Sequence, residues 1–358
     1  MASLKQRPNG SWRARYRDAT GKEHARHFKL KRDAQRWLDE ETAKLVTGSW
    51  TSPRDSKITV GEWCDRWLEG YSARPSTVAQ ARVHVKLIKE QFGSRQIQSI
   101  KPSDVKAWTR SLESTYAKSY VAALHARLGQ ILIDAVHDGI IARSPVSRRT
   151  SPGRGSQRPY VASTEQIWAI YDALPEHARG IVILGAFVGL RRNEIIALRV
   201  QDVDFMRGVV TPAIQYGGKP LKTDESRNPI PIPQEVALEL NRMPAKYGSD
   251  TIVVNPWGRQ MSPSMANALF SAACRTVKGL PEGFRIHDLR HYFASLLIAA
   301  GLDVKTVQAR LRHTSAKTTL DTYGHLWPDR DESSRQAVSE AFADRLRTIA
   351  PVAAESRG

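Results

Sequence analysis

The second half of the chain carries cations, imidazoles and one phenol in an ordered series. Gly189-Leu-Arg-Arg-Asn-Glu194 places Arg191 just after an apolar stretch, and Leu221-Lys222-Thr223 places a lysine in a turn between strand-like runs. His287-Asp-Leu-Arg-His291 opens a helix, on which His287 and Arg290, three residues apart, share a face. Arg312-His313 follows a helix that starts at Asp303, and Tyr323 lies in Asp321-Thr-Tyr-Gly-His325. Arginine stays charged near neutral pH and can grip an oxyanion through two N–H groups. Histidine exchanges protons in the same range, and a tyrosine oxygen is a nucleophile. Taken singly, each residue also has an ordinary reading. Arg191 can be a salt-bridge partner of Glu194, Lys222 a solvated turn lysine, and Tyr323 a half-buried aromatic. His287 and His291 have the i, i+4 spacing of a zinc helix. Asp288 and Leu289 do not supply the glutamate of His-Glu-x-x-His, and no third ligand is evident, so no metal is expected. No Gly-x-Ser-x-Gly elbow is present for a serine hydrolase.

The ordered set is far more specific than its members. Arg191, Lys222, His287, Arg290, His313 and Tyr323 resemble the active-site signature of the tyrosine recombinases, in their phage-integrase branch. The matching stretches are Gly189-Leu-Arg-Arg-Asn-Glu194, the run from Lys222 to Ile232, His287-Asp-Leu-Arg-His-Tyr292, and the run from Leu311 to His325. One position departs from the pattern. The family usually has glycine before the third-motif histidine, where this chain has Arg312. Glycine there eases a tight helix-to-turn transition, and Arg312 is expected to be tolerated and to add a phosphate contact.

The resemblance implies a reaction and a role for each residue. Tyr323 would cleave a DNA phosphodiester, giving a 3′-phosphotyrosyl bond and a free 5′-hydroxyl. Arg191 and Arg290 would grip the phosphate oxygens as negative charge builds on them, and His313 would add a donor. Lys222 would protonate the leaving 5′-oxygen. His287 would assist proton transfer around the tyrosine, with Glu194 orienting Arg191. Neither metal nor cofactor is implied: the cations are side chains, and the covalent bond conserves the phosphodiester energy.

Charge and composition agree with such a partner. The chain has 358 residues, 54 Lys+Arg against 36 Asp+Glu, and a formal net charge of +18. Residues 1–55, 56–153 and 154–328 are each basic, at +6, +7 and +6, and only the last thirty are slightly acidic. A polyanion contacted along much of the chain is the natural reading. Two cysteines, Cys64 and Cys274, cannot build a disulfide framework or a cysteine-rich zinc site. The longest apolar run, from Ile181 to Leu190, is too short to span a bilayer, and the N-terminus has no signal-peptide stretch. A soluble, intracellular protein without membrane contact is expected.

The elements that must position these residues can be read in outline. Trp12-Arg-Ala-Arg-Tyr-Arg17 alternates, sending Trp12, Ala14 and Tyr16 to one face and Arg13, Arg15 and Arg17 to the other. A turn at Thr20-Gly21 and a strand through Phe28 follow. A helix then carries Ala34, Trp37, Leu38 and Leu45, with Gly48 as its stop. An arginine face on a small sheet suits a DNA groove, although taken alone it reads more readily as a solvated polar face. Val78, Ala81, Val85, Ile88 and Phe92 make one apolar helix face, and Val121, Leu124, Leu128, Ile131 and Ala135 another, with Gly93 and Gly139 at the ends. Linkers are expected at 49–57 and 147–160. Ser163-Thr-Glu-Gln166 reads as a capping box, Val209 to Pro233 as strands and turns, and the chain after Pro263 as helices. Val338, Ala341, Phe342, Leu346 and Ile349 form a last amphipathic stripe, which by resemblance could dock on a neighbouring subunit, the alternative being packing on its own domain.

The expected fold class is multidomain α+β. Residues 1–55 would be an arm-type DNA-binding domain, a three-stranded sheet plus helix. Residues 56–150 would be a helical core-binding domain. Residues 158–358 would be a mainly α catalytic domain with a small antiparallel sheet and a tail helix. The implied activity is site-specific integration, and excision with accessory factors, of a phage or mobile element. Implied partners are double-stranded DNA at core and arm attachment sites, a homotetramer on that DNA, and a host DNA-bending factor and a directionality factor. The setting would be the cytoplasm of a bacterial host. A conjugative-transposon integrase, a plasmid or chromosome resolvase, and a non-catalytic DNA-binding protein are the alternatives.

Overall fold

The computed structural model describes residues 2–18, 21–47, 57–153 and 159–327, together with 335, 336, 338–341 and 343, without the side chains of 244–247. Most of the linker at 49–57, part of that at 147–160, Thr20, Gly48, and Phe342, Leu346 and Ile349 of the tail stripe lie outside the described residues. The chain divides into two compact units, Met1–Ser156 and Gln157–Gly358.

The first unit begins with an antiparallel sheet in the order β1 (Ser3–Gln6), β2 (Trp12–Arg17) and β3 (Glu23–Phe28). Helix α1 (Lys31–Val46) covers one face of it. Period-two alternation along β2 buries Ala14 and Tyr16 against Ala34 and Leu38, with Trp12, Phe28 and Trp37 packed around them. The opposite face keeps Arg13, Arg15 and Arg17.

Four helices build a separate core in this unit: α2 (Val60–Gly70), α3 (Pro75–Phe92), α4 (Pro102–Leu112) and α5 (Lys118–His137). Thr59 and Glu62 cap α2 reciprocally. The α3 and α5 faces read from their spacing are buried as expected, with Ala81, Val85, Ile88 and Phe92 meeting Leu124, Leu128 and Ile131. Each such aliphatic side chain contributes about 1.5–3 kcal/mol by leaving water. Trp63 donates its indole N–H to the Ile131 carbonyl at 2.9 Å, which ties α2 to α5. Gly139 ends α5 with φ +70, and the Gly139 and Ile140 amides return to Val136 and Ala135. That left-handed closure suits glycine.

The second unit opens with α6 (Thr164–Ala173). Its Ser163 hydroxyl accepts from the Gln166 amide at 3.2 Å while the Gln166 side chain accepts from the Ser163 amide at 3.0 Å. Then come α7 (Gly180–Ala186) and the single turn α8 (Arg192–Ile195). Short strands follow: β4 (Val203–Asp204), β5 (Val209–Val210), β6 (Ile214–Gln215), β7 (Lys219–Pro220) and β8 (Ile230–Pro231). They pair antiparallel as β4-β5-β8 and as the hairpin β6-β7. The remainder is helical: α9 (Gln234–Tyr247), α10 (Pro263–Thr276), α11 (Ile286–Ala299), α12 (Val304–Leu311) and α13 (Ala316–Tyr323). α7 and α11 run through the middle of the main core, and α11, α12 and α13 share a second cluster around Phe293, Val307 and Leu311. The fold is therefore mostly helical with small antiparallel sheets, as the patterning anticipates. Among the described residues no helix is long and apolar enough to cross a membrane.

Candidate active site

The second unit gathers the motif residues where three chain reversals meet. Between α7 and α8 the chain turns at Gly189, φ +73, where an added Cβ would lie 2.3 Å from the Phe293 ring. Only glycine fits that approach. The turn frees the Gly189 carbonyl to accept from Arg290 Nη1, while Arg290 Nη2 donates to the carbonyl of Leu311 at the end of α12. Arg290 sits on α11 with 1% of its surface exposed. It thus clamps the Gly189 turn and the α12 terminus together.

Arg191 follows that turn and is half-buried. Its Nη1 donates to Glu194 Oε1 and to the Ser226 hydroxyl, both at 3.1 Å, and its Nη2 donates to the Arg312 carbonyl at 3.1 Å. Glu194 is buried and also accepts from the Arg191 amide. Burial alone would raise the Glu194 carboxyl, but Arg312 and Arg191 outweigh it and hold the group below its ordinary value.

Arg312 behaves differently from the sequence expectation. It caps α12 in the left-handed conformation, φ 51 and ψ 47, and it is the only non-glycine residue with positive φ among those described. A turn that glycine would make freely is made here by arginine, at a cost of about 1–2 kcal/mol. Its side chain does not reach outward for a phosphate. The guanidinium is fully buried and donates to Glu194 Oε2 and to the Ser226 carbonyl, each at 2.5 Å. The buried ion pair holds the strained residue in place.

Next to Arg312, His313 Nδ1 bonds the Thr319 hydroxyl at 2.9 Å. Burial, then Arg290, Arg191, His287 and His291, push the His313 imidazole down to about 3. It is neutral near pH 7. Tyr323, the last residue of α13, is 2% exposed. Burial pushes its phenol up to about 12, with Arg290 opposing the rise. Its hydroxyl lies 2.7 Å from His291 Nδ1.

His291, set aside on sequence as half of an incomplete zinc pair, is therefore the histidine in contact with the tyrosine. His287 stands behind it, ring to ring at 5.1 Å and edge-on, and lines a cleft instead. Desolvation by the surrounding protein, His291 and Arg290 push His287 down to about 4, although its ring reaches solvent. The signal for His291 was its position directly after Arg290. Ser226 and Thr319 sit inside the matched stretches without being singled out.

Lys222 is exposed just beyond the β6-β7 hairpin. It lines a cleft of about 620 Å³ with Arg191, Arg192, Asn267, Arg285 and His287. That mouth is cationic and fits a polyanion. Among the described residues no group of three or more His, Cys, Asp or Glu side chains is placed to hold a metal ion.

In the first unit, Arg13, Arg15 and Arg17 share the uncovered face of β2. Glu23 on β3 takes Arg13 at 3.0 Å and Arg15 at 3.3 Å.

Comparison with known proteins agrees with this geometry. Residues 161–330 match the phage integrase family, and residues 2–47 match the phage integrase N-terminal domain. The chain is 27% identical over 376 residues to the integrase of Mycobacterium phage L5, covering 94% of this chain and 97% of that one. It is 26% identical over 339 residues to the integrase of Mycobacterium phage D29, covering 88% and 89%. In fold it is similar to the Tn1549 transposon integrase in complex with transposon right end DNA. That match has a TM-score of 0.68 and 21% identity, and covers 80% of this chain and all of the other. A lambda integrase dimer bound to a core site matches with a TM-score of 0.63 and 20% identity, over 91% and 96%. With a buried tyrosine within electrostatic reach of Arg290, and with both regions matched in order, the chain belongs to the phage integrase family of tyrosine recombinases.

Proposed function

We propose that this recombinase integrates a phage or related mobile element, using Tyr323 as nucleophile. The observation that carries the reading is the convergence of Arg191, His313 and Tyr323 around Arg290, three matched stretches brought to one place. A scissile phosphate seated at the cleft would meet Arg191 directly, and would take Arg290 as a second oxyanion donor once its guanidinium turns from the Gly189 and Leu311 carbonyls. His313, with Nδ1 occupied by Thr319, would offer Nε2–H to a third position. Preorganised donors of this kind are each worth on the order of 10²–10³ in rate. Lys222 would give its proton to the departing 5′-oxygen from the rim of the cleft. Glu194 orients Arg191 and does not react.

In this reading residues 1–55 bind arm-type sites through the arginine face of β2, residues 56–150 bind the core site, and residues 158–358 cut and rejoin. Four protomers would act together on DNA, as the lambda integrase tetramer bound to a Holliday junction does. A host bending protein and a directionality factor would complete the assembly in the bacterial cytoplasm. A conjugative-element integrase would use the same site, and the genes flanking this one distinguish the two. The test is strand transfer between duplexes carrying the element-end and chromosomal junction sequences, without nucleotide and with a chelator present. Recombinant product supports the proposal; binding without product would reduce the protein to a DNA-binding one.

A further inference from the structure

The nucleophile in this site has a partner that the motif set does not name. We propose that His291 is the base that takes the Tyr323 proton during strand cleavage and gives it back during rejoining. This assignment rests on the reading of Tyr323 as nucleophile given above.

Three features of the geometry carry it. First, the Tyr323 hydroxyl and His291 Nδ1 are 2.7 Å apart, within direct proton-transfer range. Second, the other ring nitrogen faces a carboxylate, Nε2 to Asp288 Oδ1 at 3.7 Å. A proton on Nε2 is favoured by that neighbour, which leaves Nδ1 as the acceptor. Third, Asp288 is itself fixed, since its other oxygen accepts from the Arg285 amide at 2.7 Å as the cap of α11. The imidazole is thus held from behind and aimed at the phenol. His287 has no such contact with Tyr323; its ring packs on His291.

The groups facing His291 agree on its state. Asp288, His287 and Arg290 lie on its own helix and Arg285 at the cap, while Tyr323 and His313 approach from α13 and from the turn before it. Burial, reinforced by Arg290 and Arg285 and opposed by Asp288, keeps the ring below its ordinary value and therefore neutral near pH 7. A neutral imidazole is the form that can accept.

The step balances without any further reagent. As the Tyr323 oxygen bonds to phosphorus, its proton passes to His291 Nδ1, giving an imidazolium that Asp288 stabilises. The bond from phosphorus to the 5′-oxygen breaks, and that oxygen takes a proton from Lys222. In rejoining, a 5′-hydroxyl attacks phosphorus and yields its proton to the Lys222 amine. The departing phenolate recovers its proton from His291.

The experiment uses the full chain and a nicked duplex bearing the junction sequence of the element. His291→Asn keeps an acceptor oxygen near the Nδ1 position without its basicity, and His291→Ala removes both. DNA binding by each variant, measured by gel shift, reports folding. Covalent adduct formation is expected to fall on the order of 10²–10⁴-fold in both. In His291→Ala the residual rate should climb with pH as tyrosinate forms, whereas the unmodified protein stays nearly flat above pH 7. Replacing Tyr323 by a fluorinated tyrosine of lower phenol pKa should restore much of the lost rate. Unchanged cleavage in both variants would overturn the assignment. So would a loss that neither high pH nor the fluorinated tyrosine relieves, because a purely structural histidine predicts that pattern. If the unmodified protein forms no adduct on the same DNA, the nucleophile reading falls, and this assignment with it.

Discussion

Glu194 and Arg312, 118 positions apart in sequence, meet in a buried ion pair at 2.5 Å, and the other oxygen of the same carboxylate takes Arg191 at 3.1 Å. One anion therefore fixes two guanidiniums, one of them at the cleft and the other locked beneath it. The left-handed backbone at Arg312 is the consequence: the chain accepts strain at the α12 terminus to bring a cation under Glu194.

This arrangement orders two variants. Arg312→Gly relieves the backbone but leaves Glu194 with one partner fewer. Breaking a buried pair costs about 3–5 kcal/mol, and the relief returns about 1–2. A net loss of about 1–4 kcal/mol is expected, or roughly 2–15 °C in the thermal transition of the second unit. Arg312→Ala loses the pair without the relief and should be less stable again. Calorimetry of the full chain reads both. A glycine variant as stable as the parent would mean that the pair contributes no more than the backbone relief of about 1–2 kcal/mol.

Glu194 also sets an acid limit. Its folded carboxyl is held below the ordinary 4.5, so its stabilisation is fully present above that value and is lost as pH falls through the folded one. Glu194→Gln should start less stable at pH 7 and lose less on acidification below about 4.5. Denaturant midpoints measured between pH 7 and pH 3 give the comparison. Parallel curves for the two proteins would remove Glu194 as a source of the acid sensitivity. Because Arg191 loses its support, cleavage by this variant is expected to drop on the order of 10²-fold.

Under the proposed division of the chain, the arginine face of β2 is separable from cleavage. Replacing Arg13, Arg15 and Arg17 with alanine should weaken binding to arm-site DNA and flatten its dependence on salt, since each lost phosphate contact lowers the slope. Core-site cleavage should stay intact. Glu23→Ala has the opposite sign: it releases Arg13 and Arg15 from their shared carboxylate and should tighten binding. Titration of fluorescent duplexes at several salt concentrations measures all three effects. An equal loss at arm and core sites would undo the division of labour proposed for the first unit.

What could be read from the sequence was local or ordered. The apolar faces of α3 and α5, the Ser163–Gln166 cap and the alternation along β2 are patterns within a few residues of one another, and each is present. The six motif residues could be singled out as a set by their order and spacing along the chain. Contacts between distant stretches were not. Nothing near Arg312 announces a left-handed residue whose side chain turns inward, because its partner lies in another motif. His291 was hidden in a similar way, since its contact with Tyr323 spans 32 positions and exists only when α11 and α13 pack together. The desolvation by neighbouring protein that pushes His287 down to about 4 likewise belongs to the folded site and not to the residue type.

Formation of a covalent complex on a nicked core-site duplex, with and without Tyr323→Phe, tests the central claim most directly. The parent protein is expected to yield a DNA-linked species whose modified peptide, by mass spectrometry, contains Tyr323. The phenylalanine variant is expected to bind the same DNA with similar affinity and to yield none. An adduct that survives the substitution, or one mapped to another residue, would contradict the assignment of Tyr323 as the nucleophile.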